Sequence, residues 1–192
     1  MTRRFAEAMH SSKTRKSKSG RRRGLSKSTN VDKRQRLLKQ LDREWLAFRD
    51  SYAGLPLSVL LVPGVTKAWS VKDIVAHVTT WEEEALKHLP AILEGLRPPR
   101  YSVLYGGIDA FNALMTARKA DLSLAQVIEQ QKHVHQRVVE VVERAPDGAL
   151  IPEARFRRRL RLDTYGHYPK HAAAIRQWRA SRGCADLVGR VG

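Results

Sequence analysis

A chain of 192 residues with 42% apolar residues has material for one ordinary domain with its own core and some chain to spare. Its formal net charge of +17 resembles the footprint of a protein that meets polyanions, so the placement of that charge matters. No apolar run approaches the roughly 18 to 20 residues that cross a bilayer, which excludes a helical membrane span, and the single cysteine, Cys184, excludes an intramolecular disulfide.

The charge sits in two places. Residues Arg3 to Lys27 carry ten Lys or Arg against one acid, Glu7, and Arg155, Arg157, Arg158, Arg159 and Arg161 form a second cluster. Residues 1–29 hold almost no large apolar side chains after Phe5 and Met9, so ordering them would cost conformational entropy with nothing buried in return. They are expected to be a disordered basic tail. Its Arg/Ser-rich start has the composition of an organellar transit peptide, but runs such as Arg21-Arg22-Arg23 interrupt any apolar face, and no h-region of a secretory signal is present. The expectation is a cytoplasmic protein with no membrane partner.

From Val31 the pattern becomes helical. Leu37, Leu38, Leu41, Trp45, Phe48 and Tyr52 recur at three- and four-residue steps, which stacks them on one side of a first helix ended by Gly54 and Pro56. A loop to Gly64 follows, carrying the apolar stretch Val59 to Val62. The second helix opens at Ser70-Val71-Lys72-Asp73, where a serine hydroxyl caps a free N–H and an acid favours the positive helix end. Its buried side is expected to carry Val71, Ile74, Val75, Val78, Trp81 and Ala85, with Glu82, Glu83 and Lys87 nearer solvent, up to a break or kink at Pro90.

Gly95 and Pro98-Pro99 open a long crossover holding a short helix over Ile108 to Ala120 with Phe111, Leu114 and Met115. The third helix runs from a Ser123 cap to about Arg144, striped by Leu124, Val127, Ile128, Val134, Val138, Val141 and Val142. The fourth follows Asp163 or Thr164 and carries Ala174, Ile175 and Trp178. Four amphipathic helices hide their stripes by packing together, so the expected fold is an all-α four-helix bundle with a long crossover, over residues 30–182, followed by a C-terminal tail at 183–192.

The histidines carry the chemistry. His167 and His171 lie one turn apart on the inward side of the fourth helix, and two imidazoles at that spacing can chelate one divalent metal. They can equally be hydrogen-bonded core residues. His77, beside Ile74, Val78 and Trp81, offers a third inward ring, and three neutral histidines with an open fourth position make a catalytic type of site. Pro169 falls in or just past the first turn, where its missing N–H costs little. His135, with Gln131 one turn earlier, lies mid-stripe on the third helix and is a candidate proton carrier or supporting donor, or a plain interhelix hydrogen bond. Tyr165, Tyr168 and Trp81 are candidates to line the same pocket. His133 faces water, His88 lies at the far end of the second helix, and His10 is in the tail.

Trp69-Ser70-Val71-Lys72-Asp73-Ile74-Val75-Ala76-His77-Val78-Thr79-Thr80-Trp81-Glu82 resembles the helix-two signature of the DinB-like four-helix bundles. Asp163-Thr164-Tyr165-Gly166-His167-Tyr168-Pro169-Lys170-His171-Ala172-Ala173-Ala174-Ile175-Arg176-Gln177-Trp178 is similar to their helix-four signature. The resemblance spans Asp32 to Trp178 and implies a metal site of His77, His167 and His171 around zinc, nickel or another divalent ion. It also implies the function classes of that superfamily, which includes metal-dependent thiol transferases using low-molecular-weight thiols and ClbS/DfsB-type genotoxin-resistance proteins. The latter commonly lack the second and third histidines, so their presence here leans toward metal binding.

Three readings remain at this point. The chain is a metal-dependent transferase or hydrolase acting on electrophilic small molecules, with His135 and Tyr165 as candidate catalytic groups. Alternatively it holds nucleic acid unspecifically through its basic arm, by counterion release. Or it is a bundle that dimerises through exposed helix faces and does no chemistry. No GxGxxG, phosphate loop, serine elbow or paired-carboxylate motif competes as a catalytic centre.

Overall fold

Two serine capping boxes fix where the two best-defined helices begin. In the computed structural model, which describes the backbone of residues 20–183 and the side chains of 32–183, Ser70 Oγ accepts from Asp73 N while the Asp73 carboxylate accepts from Ser70 N. Ser123 and Gln126 repeat the arrangement. Each satisfies two otherwise orphaned donors, and losing such a cap costs about 0.5–2 kcal/mol.

The elements in chain order are α1 (Gly20–Tyr52), α2 (Leu57–Leu60), α3 (Val71–Leu93), α4 (Tyr101–Leu104), α5 (Ile108–Arg118), α6 (Leu124–Arg144), a 3-10 turn (Asp147–Ala149), α7 (Arg155–Asp163) and α8 (Tyr168–Ser181). No strand appears among the described residues, so the class is all-α. The long helices α1, α3, α6 and α8 form the bundle, with α3 packed on α6 and α1 packed on α8 and α6. Outside it, α7 covers a further side of α3, and α5, in the crossover, lies on α3 as well. The core runs through Leu37, Leu41 and Phe48 of α1, Ile74, Val75 and Val78 of α3, Val138 and Val142 of α6, and Ile175 of α8, all essentially without solvent contact.

Several expectations need correction. The first helix begins at Gly20 rather than Val31, so residues 20–29 of the expected disordered tail belong to α1. Residues 1–19, His10 among them, and 184–192 with Cys184 lie outside the described residues. Pro90 does not end α3, which continues to Leu93. The stretch within Val59 to Val62 overlaps a helical turn, α2, and α4 adds another in the crossover. In α5 only Phe111 is buried, while Leu114 is exposed.

Two differences bear on the site. The arginine cluster at 155–161 is itself a helix, α7, which seats Phe156, Leu160 and Asp163 inward. Glu82, expected nearer solvent, is completely buried. Because α6, α7 and α5 all pack against α3, its apolar stripe is wider than a two-sided helix would have, and Glu82 falls within it. Finally, α8 begins only at Tyr168, with Pro169 in its first turn, where no intrahelical donor is missed.

Candidate metal centre

His77 projects from the second turn of α3, His167 is the residue on which α8 starts, and His171 stands one turn further along α8. The chain thus brings together three imidazoles from two separate elements. His77 Nε2 lies 3.3 Å from His167 Nε2, and His171 Nε2 lies 2.9 Å from the same atom. All three ligand atoms fall within 4.8 Å of one another. Metal–nitrogen bonds of about 2.0–2.1 Å at tetrahedral angles separate neighbouring nitrogens by roughly 3.3 Å. The His77–His167 pair matches that edge, and the His167–His171 pair is slightly tighter.

The electrostatics suit ligands. Burial, with the nearby His171 second, lowers the His77 pKa to about 3. Burial, then His171, His77 and Lys170, lowers His167 to about 2, and burial followed by Lys170 lowers His171 to about 4. All three rings are therefore neutral near pH 7, with lone pairs available to a cation. The chemistry and spacing of this donor set fit a divalent metal. His167 departs from the common pattern in one respect: its Nδ1 is buried without a hydrogen-bond partner, so no carboxylate or carbonyl behind the ring fixes its orientation.

Aromatic rings wall the site. Trp69 lies 4.8 Å from the His77 ring, and Trp81 approaches His77 and His167 edge-on at 6.3 and 6.0 Å. Trp81 Nε1 donates to Asn112 Oδ1 at 3.2 Å, which ties α5 to the site. Trp69 also lines a cavity of about 430 Å³, together with Thr66, Lys67, Ala68, Asp109, Asn112 and Ala113. The same residue thus borders both a small-molecule-sized recess and the triad.

The description of the DinB superfamily matches residues 40–178. The chain belongs to the DinB superfamily. A crystal structure of an uncharacterised protein from Escherichia coli UTI89 is similar in fold, with a TM-score of 0.64 at 16% identity, over 78% of this chain and 94% of that one. No curated protein matches.

Within this DinB-superfamily bundle the other candidates occupy a second cluster. His135 Nδ1 bonds Glu82 Oε1 at 2.8 Å, and its ring stacks on Trp45 at 4.1 Å. The Tyr168 hydroxyl donates to the same Glu82 oxygen, and burial with the Glu82 carboxylate pushes that phenol well up, keeping it a donor. Among the described residues no hydrogen bond or ring contact joins His135 to the triad. The Tyr165 hydroxyl accepts from Arg157 Nε at 2.6 Å and is buried under that guanidinium. Glu82 and Asn112 were missed as site residues. For Glu82 a signal existed: Val75, Val78, Glu82, Ala85, Leu89 and Ile92 alternate steps of three and four, the spacing of one buried stripe.

Proposed function

We propose that the protein is a metal-dependent enzyme that directs a low-molecular-weight thiol, or water, at an electrophilic small molecule, in the manner of detoxification. The observation that carries this reading is the convergence of three neutral imidazole nitrogens from α3 and α8 within 4.8 Å. His77, His167 and His171 would hold a divalent ion, zinc or nickel, leaving a fourth position open. Such an ion, when bound, supplies Lewis acidity that makes a thiol or water nucleophilic near neutral pH. The chain's own part is to hold the rings neutral, to exclude water from them with Trp69 and Trp81, and to offer a recess beside Trp69 for the body of a substrate.

Metal analysis of purified protein beside a His77→Ala, His171→Ala double variant tests the reading. About one equivalent in the wild type and none in the variant is expected; negligible metal in both removes its basis. Assay against aromatic and epoxide electrophiles, with and without added thiol, then separates transferase from hydrolase.

The described residues favour no second reading. Arg155 donates to the carbonyls of Gly95 and Leu96, Arg157 to Tyr165 and Leu150, and Arg159 to Asp163 and Tyr101. These guanidinium groups are engaged in holding α7 against the crossover and the bundle.

A further inference from the structure

The interior of the bundle contains a fully buried carboxyl group whose neighbours, among the described residues, include no lysine or arginine. Glu82 is fully buried on α3, and its Oε1 takes hydrogen bonds from His135 of α6 and Tyr168 of α8, while Trp45 of α1 stacks on His135. All four long helices therefore contribute a side chain to this one cluster. Its second oxygen, Oε2, has no hydrogen-bond partner. A buried polar cluster of this kind adds little net stability over an apolar packing of equal volume, and its best-attested use is to fix the register of the elements that carry it.

The register it fixes is that of α8 against α3. Outside the triad, the Tyr168–Glu82 bond is the one side-chain hydrogen bond between these two helices among the described residues. Tyr168 lies between the two α8 ligands in sequence, directly after His167 and three residues before His171, and is itself fully buried. His167 makes no side-chain capping bond and its Nδ1 has no partner, so outside the triad its ring holds the start of α8 through no side-chain bond. The same helix α3 carries His77 five residues before Glu82.

We infer that Glu82 and Tyr168 are positioning residues for the histidine triad, the Tyr168–Glu82 hydrogen bond setting the start of α8 so that His167 and His171 meet His77. The inference rests on the metal reading for its functional meaning, but the placement of the rings can be judged without a metal. Glu82 acts through Tyr168 on both α8 ligands at once, and His135 holds Glu82 in the orientation that receives the phenol. His135 is thereby a member of this support rather than a group that reaches the triad.

Cobalt(II) titration of metal-free protein, followed by visible absorption, tests the inference with Tyr168→Phe, Glu82→Met and Glu82→Gln. Tyr52→Phe serves as the control, because the Tyr52 hydroxyl also makes a buried bond, to Gln131, in the same core. Loss of a group hydrogen-bonded to a ligating histidine typically lowers metal affinity about 10–100-fold, and a bond that places two ligands at once is expected to act on a similar scale. Tyr168→Phe and Glu82→Met are expected to fall in that range and to alter the cobalt spectrum. Glu82→Gln, which keeps an acceptor for the phenol, recovers most of the affinity, and Tyr52→Phe leaves it unchanged. Tyr168→Phe binding cobalt as Tyr52→Phe does, with an unaltered spectrum, overturns the inference. If the wild type itself takes up no cobalt, the metal reading fails, and amide hydrogen exchange of the metal-free proteins then decides the positioning role. Selective acceleration at residues 167–172 in Tyr168→Phe supports it, and exchange no different from Tyr52→Phe overturns it.

Discussion

His77 and His167 place their Nε2 atoms 3.3 Å apart although 90 positions separate them in the chain. Two neutral nitrogens at that distance gain from a cation between them, and a cation that binds only the folded arrangement stabilises it by mass action. Zinc or nickel at a hundredfold excess over its dissociation constant is expected to add roughly 2.7 kcal/mol to the wild type. The same addition should leave His77→Ala unmoved. Thermal unfolding with metal and with chelator reads both. A wild-type midpoint indifferent to either would count against the site.

The depressed histidines give stability a pH dependence whose sign is fixed. In the unfolded chain each imidazole titrates near 6.5, whereas in the fold His171 titrates near 4, His77 near 3 and His167 near 2. Between 6.5 and those values the unfolded state binds more protons than the folded state, so stability is full above 6.5 and is lost as pH falls. Each ring contributes at most about 1.4 kcal/mol per pH unit in that window, less for rings partly open to solvent. Urea unfolding of metal-free protein from pH 7 to 4.5 should show the decline, and His77→Phe should flatten it. A slope that His77→Phe leaves unchanged would place the lost stability elsewhere.

The triad was legible because helical spacing alone puts His167 and His171 on one side, and Ile74, Val78 and Trp81 mark His77 as inward. The starts of α3 and α6 were equally legible, since Ser70 and Ser123 advertise their caps chemically. What escaped was decided by tertiary packing. Glu82 reads as a surface residue by type although it keeps the three-and-four spacing of the buried stripe, and the partners that seat it, His135 of α6 and Tyr168 of α8, come from elsewhere in the chain. The helix α7 escaped because five arginines in seven residues read as a charge cluster, while its buried positions are just Phe156, Leu160 and Asp163. The bonds of Arg157 and Arg159 to Tyr165 and Tyr101 have no sequence signature at all.

Tyr101 latches the crossover to the bundle. Its hydroxyl donates to Glu84 Oε2 at 2.6 Å and accepts from Arg159 at 2.8 Å, while His88 bonds the same carboxylate oxygen at 3.0 Å. Burial, and next the Glu84 carboxylate, raise the Tyr101 phenol well above its usual range, so it remains the donor. Tyr101→Phe removes one bond from each of two charged groups and is expected to cost about 1–3 kcal/mol. Hydrogen exchange should accelerate across residues 101–118 before it does in α6. Uniform acceleration would show that the latch belongs to the global core instead.

Gly166 stands where the turn from α7 into α8 is narrowest. Its N–H donates to the Arg161 carbonyl at 2.9 Å, and a Cβ built on it would lie 2.6 Å from that same oxygen and 3.1 Å from Arg161 Cγ. The nearest obstacle is backbone, which cannot swing aside as a side chain would, so Gly166→Ala must displace the turn that ends one residue before His167. A loss of about 1–3 kcal/mol is expected from the overpacking. Weaker metal uptake should accompany it, because His167 moves with the turn. Gly107→Ala is the informative comparison: it also meets an unfavourable backbone, at φ +130°, yet nothing lies within 4 Å of the added carbon. It should cost about 1–3 kcal/mol through strain alone and leave metal affinity intact. Calorimetric metal titration of the two variants at matched stability separates them. Equal affinities would mean that the close approach at Gly166 serves only the packing of α7.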